Sequence, residues 1–274
     1  MKRLLVLLMV GAFALTGCGS TEEAVDTSAT TADAEDTADS DLAYVKDNGS
    51  MKIGYTVYEP MNYTDENGKF TGFETEFAEI VCEKLGVGAE FVEISWDAKT
   101  IELEAKNIDC IWNGMTITDE LLSTITISNP YVKNTQVLVV KKDSGITGTA
   151  DLVGKTVAVE AGSAGVAAVE ADENLAQAEM LTVTKQTDGL VEVKAGTSDA
   201  VVLDWTLANQ MVGEGTDFAD LQMVEGVELS LEEYGIGFRK DSDIKPEVDK
   251  IMADLMADGT LPELAEKYGL NLVK

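Results

Sequence analysis

The chain contains no histidine. That removes the commonest general base, the Ser-His and Cys-His nucleophile pairs, and histidine-based metal sites. Cysteine is scarce: Cys18, Cys82 and Cys110 are the full set, and no CxxC occurs. Cys82 falls in a helical pattern and Cys110 starts a strand, settings in which lone thiols are mostly buried and inert. A disulfide between them has no support in the sequence. Bases are few, 20 against 50 acids, for a net charge of −30. This balance argues against nucleic acid and anionic membrane surfaces as partners. It does not by itself call for a cationic ligand, because a broad acidic surface is most often a solvated face. Aromatics are also few, 6% of residues, beside a hydrophobic content of 45%. That composition suits an α/β protein with a sizeable core, and 274 residues allow one large domain or two lobes of ordinary size.

The N-terminus reads as an address followed by a tether. Lys2-Arg3 precedes an apolar run from Leu4 to Leu15. The run has signal-peptide length and is too short to span a bilayer. It ends Leu15-Thr16-Gly17-Cys18, which looks like a bacterial lipobox with Cys18 as the lipidated residue; a chance cysteine after an ordinary signal peptide is the weaker reading. Residues Gly19 to Asp41 carry eight acids and no base, with Val25 the only bulky aliphatic residue. Such a segment cannot bury enough apolar surface to offset ordering, so a disordered, self-repelling linker is expected over residues 18–41. Two or three acyl chains on one cysteine would suffice for stable anchoring.

From there the pattern alternates strand and helix. Met51–Val57 reads as a strand and Asn67-Gly68 as a turn. Phe73, Phe77, Ile80 and Val81 recur at helical spacing before Gly86, which predicts a helix over Phe73–Leu85. A strand at Ala89–Ile94, a polar helix near Ala98–Lys106 and a strand from Cys110 complete a βαβαβ unit of a mostly parallel sheet. A short helix opens at Thr118. Strands at Gln136–Lys141, Thr156–Val159, Met180–Thr184 and Asp199–Leu203, with helices at Ser163–Ala171, Gly189–Lys194 and Leu207–Met211, repeat the architecture. A last strand at Gly235–Arg239 and two helices close the chain. The reading is two α/β lobes, 42–131 plus 234–274 and 132–233, with crossovers near Tyr131 and over Leu229–Tyr234.

In open α/β sheets, ligands sit beyond the carboxyl ends of the strands. Here those ends hold Tyr58, Trp96, the loop Asn113-Gly114-Met115-Thr116, the turn before Ser163, and Asp204. Asp204 follows the buried run AVVL, where a carboxylate can hold an ammonium or cap the next helix; spacing does not choose between them. Gly162-Ser163 precedes a helix whose opening N–H groups favour an anion, although a plain turn with Ser163 as cap fits too. The segment is a near-miss of G-x-S-x-G. Ala161 replaces the first glycine and no histidine exists to activate the serine, which rules out a hydrolase on that motif. Tyr58 and Trp96 could sandwich a side chain by stacking and cation–π contact, though a lone aromatic is more often core.

The segments TGFETEFAEIVCEKLG, DCIWNGMTITDE, ISNPY, LVGKTVAVEAGSA, AGTSDAVVLD, YGIGFRKDSD and LMADGTLPELAEKYG fall in an order and spacing that resembles the polar amino acid-binding proteins of ABC importers. These are the type II, family 3 solute-binding proteins. The resemblance covers Met51 to the C-terminus. It implies a two-lobed Venus-flytrap fold with mixed sheets and helices on both faces, an extracytoplasmic receptor that closes on a small solute, a membrane permease as partner, no cofactor, and a monomer. It also implies site roles: Asp204 for the α-ammonium; Thr116, the backbone at Gly114, and Ser163 for the α-carboxylate; Tyr58 and Trp96 for the side-chain pocket. Leu121 departs from the pattern, because the family usually places arginine there to pair with the carboxylate. A ligand without a free α-carboxylate, a substitute cation (none lies nearby in sequence) and an altered sequence all fit. A cyclohexadienyl dehydratase-like enzyme and a ligand sensor are the alternatives on the same fold.

Overall fold

The computed structural model describes Ser40 to Val273. The signal, Cys18 and all but the end of the acidic segment lie outside the described residues. Asp41, which composition assigns to the linker, instead opens helix α1 (Asp41–Asn48). The Ser40 hydroxyl caps that helix, and Asp41 pairs with Arg239 at 2.8 Å.

Strand β1 (Ser50–Tyr55) starts the first sheet. A small hairpin, β2 (Tyr63–Thr64) and β3 (Phe70–Thr71), leads into α2 (Phe73–Leu85), β4 (Gly88–Glu93), α3 (Lys99–Glu104) and β5 (Cys110–Ile111). Helix α2 has the predicted bounds. Its apolar face packs inward, with Phe77 edge-on to Trp112 at 5.0 Å. Burying each such side chain contributes about 1.5–3 kcal/mol. Gly72 begins the helix at φ 132, and an added Cβ would stand 2.1 Å from the Met61 carbonyl oxygen, so only glycine fits. Cys82 and Cys110 are free, buried thiols, and burial pushes Cys82 up to about 12.

Next come α4 (Asp119–Thr124), β6 (Thr126–Ile127) and the long β7 (Val132–Lys141). The second sheet continues with β8 (Thr156–Glu160), α5 (Ala164–Ala171), β9 (Glu179–Val183), α6 (Gln186–Ala195), β10 (Ala200–Asp204), α7 (Trp205–Met211) and β11 (Leu221–Tyr234). Strand β12 (Gly237–Phe238) returns to the first sheet, and α8 (Ile244–Ala257) and α9 (Thr260–Lys267) pack behind it.

Two five-stranded mixed sheets result, in the orders β4-β1-β5-β12-β6 and β11-β7-β10-β8-β9. The first three strands of the first sheet run parallel, while β12 inserts antiparallel between β5 and β6. In the second sheet β10, β8 and β9 are parallel, and β7 and β11 are antiparallel. The sequence did not announce β11. It pairs with β7 from Leu221↔Lys141 to Tyr234↔Val132 through two register shifts. The chain thus passes between the sheets twice, side by side. Tyr131 N–H donates to Tyr234 O at 3.1 Å, and Ser128 N–H to Ile236 O at 2.9 Å. These paired connections place the carboxyl ends of both sheets against a common cleft.

Candidate functional site

A cavity of about 500 Å³ lies between the sheets. Tyr58, Trp96, Asn113 and Gly114 line it, as do Thr116, Leu121, Ser163 and Asp204. Their chemistry is less uniform than their location.

Asp204 ends β10 and is buried. Its Oδ1 accepts from Asn134 Nδ2 at 2.6 Å and Gln136 Nε2 at 2.7 Å, both on β7; Gln136 is its register partner. Its Oδ2 accepts from Gln186 Nε2, and Gln186 Oε1 takes the Asp204 N–H at 3.0 Å. The side chain makes no capping bond to α7, so the helix-cap reading is set aside. Ser163 precedes α5 and likewise makes no side-chain cap bond.

Three more carboxylates are buried around Asp204. Glu160 ends β8, beside β10, and its Oε1 accepts no hydrogen bond within the protein. Burial first, then the Asp204 charge, push Glu160 up to about 8. Glu232 on β11 accepts from Thr116 Oγ1 at 2.9 Å and shares the amides of Asn134 and Gln136 with Asp204. Burial and Asp204 push it up to about 7. Glu74, in the first turn of α2, takes the Gly114 N–H on both oxygens, at 3.0 and 2.8 Å, and the Tyr131 hydroxyl. Burial raises it to about 7. Burial raises Asp204 as well.

The donors that the sequence offers to a carboxylate at Gly114 and Thr116 therefore already serve internal acids. Asn113 is engaged too: its amide closes four hydrogen bonds to Thr56 and Asn62, and it braces the loop. Tyr58 shares a hydroxyl contact of 2.8 Å with Tyr234.

Lys99 is a base that lies far from Leu121 in sequence and is brought to the cavity by the fold. It opens α3, lines the cavity and lies 4.8 Å over the Trp96 ring. Its ammonium donates to Trp96 O at 3.2 Å and, from the opposite wall, to Gly162 O at 2.8 Å. A second contact crosses the cleft, Lys185 to Glu93 at 2.6 Å. Sequence reading missed Lys99, Gln136 and Gln186. Glu160 was not singled out either; its place at the tip of a buried strand was the available signal.

The three glutamates set a pH dependence. Their folded values of about 7, 7 and 8 exceed the ordinary 4.5. A raised acid stabilises the fold fully below its unfolded value, and that contribution is lost as pH rises through the folded value. The melting temperature of the ligand-free protein should therefore fall as pH rises from about 5 to about 8.5. Thermal scans at constant ionic strength check this; a flat or rising curve would show that these acids are not buried as described.

The profile of the bacterial extracellular solute-binding proteins, family 3, matches residues 51–271. The L-cystine-binding protein TcyJ of Escherichia coli (strain K12) is 32% identical over 85% of this chain and 88% of its own. A mutant of the arginine-binding protein ArgBP from T. maritima is 35% identical, with a TM-score of 0.77 over 83% of this chain and 98% of its own. The ancestral amino acid-binding protein AncCDT-1, a precursor of cyclohexadienyl dehydratase, is 30% identical, with a TM-score of 0.75 over 84% of this chain and 99% of its own.

Proposed function

Because the chain belongs to the bacterial extracellular solute-binding proteins of family 3, we propose that it is the receptor of an ABC importer. It captures a polar amino acid or a related amine-bearing solute in the cleft and presents it to a membrane permease. The observation that carries this reading is Asp204. It is a carboxylate at the C-terminal end of a buried strand, oriented by three side-chain amides and facing a cavity between two sheets. Such a group pairs with an ammonium by charge-assisted hydrogen bonds. Tyr58 and Trp96 supply the aromatic walls, Thr116 and Ser163 polar contacts, and Leu121 an apolar one.

The lobes are 42–131 plus 234–274 and 132–233, and they close about the paired connections at Tyr131 and Tyr234. Lys99 and Lys185 then fasten the closed form across the cleft. Lipidation at Cys18 would hold the receptor on the extracytoplasmic side of the cell membrane, with the acidic segment as tether. The protein acts as a monomer and without a cofactor.

The test is a thermal-shift panel of the amino acids, their amides and small cationic amines. A true ligand at about 100 times its Kd stabilises by about 2.7 kcal/mol. No rise with any member would overturn the receptor reading. The lack of histidine favours binding over turnover, so prephenate and arogenate should be recovered unchanged after incubation; their conversion would make the protein an enzyme.

A further inference from the structure

The cleft has acceptors to spare and few donors. The Gly114 N–H is held by Glu74, and the Thr116 hydroxyl by Glu232. The amides of Gln136 and Gln186 point at Asp204. Among the described residues Lys99 is the only base lining the cavity, and two backbone carbonyls take two of its three N–H groups. Against this one base stand five lining acids, Asp97, Glu120, Glu160, Glu170 and Asp204. The Glu160 oxygen Oε1 is buried and accepts no bond within the protein. A buried polar atom of this kind marks a place for a missing partner. Glu160 and Asp204 end neighbouring parallel strands, and both line the cavity. Leu121 adds an aliphatic side chain to the cavity rather than a charge.

We infer that the ligand is a small solute with two basic nitrogens and no carboxylate, a diamine or an aminoalkyl guanidine, with one nitrogen on Asp204 and the other on Glu160. This rests on the receptor reading and narrows its ligand. A dication satisfies the free Glu160 oxygen and offsets the carboxylates of Glu160 and Asp204. A carboxylate entering the same cleft meets a lining of the same sign. Its remaining donors would be the opening N–H groups of α5, the Ser163 hydroxyl and one hydrogen of Lys99. The methylenes of the solute lie along Leu121, Tyr58 and Trp96, where stacking and cation–π contact add to burial.

Three matched pairs separate the two occupants: agmatine and arginine, cadaverine and lysine, putrescine and ornithine. Each pair differs by one carboxylate. Titration calorimetry on the full chain near neutral pH should show the decarboxylated member binding at least about 10-fold tighter in one pair or more. Glu160→Gln should weaken that member by about 10-fold or more. Above about pH 8, where Glu160 carries its charge, the ligand-free variant should melt no lower than the parent, since a buried unpaired carboxylate has been removed. Tighter binding of the amino acid in every pair would overturn the inference and leave the receptor reading intact. No effect of Glu160→Gln on the best diamine would overturn the role of Glu160. Silence from all six compounds, with a response to another amino acid, would overturn the inference alone. Silence from every amine and amino acid would remove the receptor reading with it.

Discussion

Asp204→Asn should weaken binding of any ammonium or guanidinium ligand by about 30-fold or more. Breaking a buried, hydrogen-bonded charge pair costs about 2–5 kcal/mol, and each 1.4 kcal/mol is a factor of ten. The substitution keeps the shape of the side chain. Its oxygen can still accept from Asn134 and Gln136, as Asp204 Oδ1 does. What it loses is the charge, and its new amide group faces the Nε2 of Gln186. Gln186 cannot easily turn, because its Oε1 holds the backbone N–H of residue 204. A second consequence follows from the neighbours. The Asp204 charge is the second cause, after burial, of the raised values of Glu160 and Glu232. Removing it lowers both, so the variant should lose less stability than the parent between about pH 5 and 8.5. Calorimetry reads the first effect and thermal scans the second. Parental affinity with a parental pH profile would mean that the amine does not sit on Asp204.

The sequence announced elements whose stability is local. Helix α2 is marked by its apolar spacing and by Gly86 at its end, and its observed bounds match. Helix α8 shows its face in Ile244, Val248, Ile251 and Leu255 in the same way. Elements held by distant partners were hidden. Helix α1 continues an acidic composition, and it is fixed by Arg239 and Asp243, about 200 residues away in sequence. Strand β11 carries four glutamates and exposes Leu231, so it has no clean alternation; its order comes from pairing with β7. Strands β6 and β12 are two residues each, too short to carry a period.

The site divides along the same line. The rule that ligands gather at strand ends pointed to seven of the eight named cavity residues, all but Leu121, since it follows from topology. It said nothing of which donors would be free. Glu74 lies 40 residues before Gly114, and Glu232 lies 116 residues after Thr116, yet those pairings decide what the loop can still offer. Lys99 reads locally as one polar residue on a helix. Only the approach of Gly162, 63 residues on, makes it a contact across the cleft. An added Cβ at Gly162 would stand 2.7 Å from the Asp97 Cα, which shows how closely the two walls meet there.

Leu121→Arg should reverse the preference between a basic amino acid and its decarboxylated partner. Leu121 sits in the short helix α4, where the Thr118 hydroxyl accepts its N–H at 3.2 Å. Its side chain is half-buried, packs beside the cluster that includes Trp96, and lines the cavity. A guanidinium carried from this position gains the Trp96 face and presents two parallel donors to the cleft. A solute carboxylate would then find the bidentate partner that the leucine denies it. Such a pair is worth about 2–5 kcal/mol, or roughly 30-fold or more in affinity. A dication meets repulsion at the same point and should weaken. The ratio of the arginine and agmatine Kd values is the proper reading, because a general loosening of the cleft affects both ligands and cancels. A ratio that moves toward arginine by about 30-fold or more ties ligand charge to position 121. A ratio that stays fixed while both ligands bind would place the solute away from α4, and the charge inventory of the cleft would then have to be explained without Leu121.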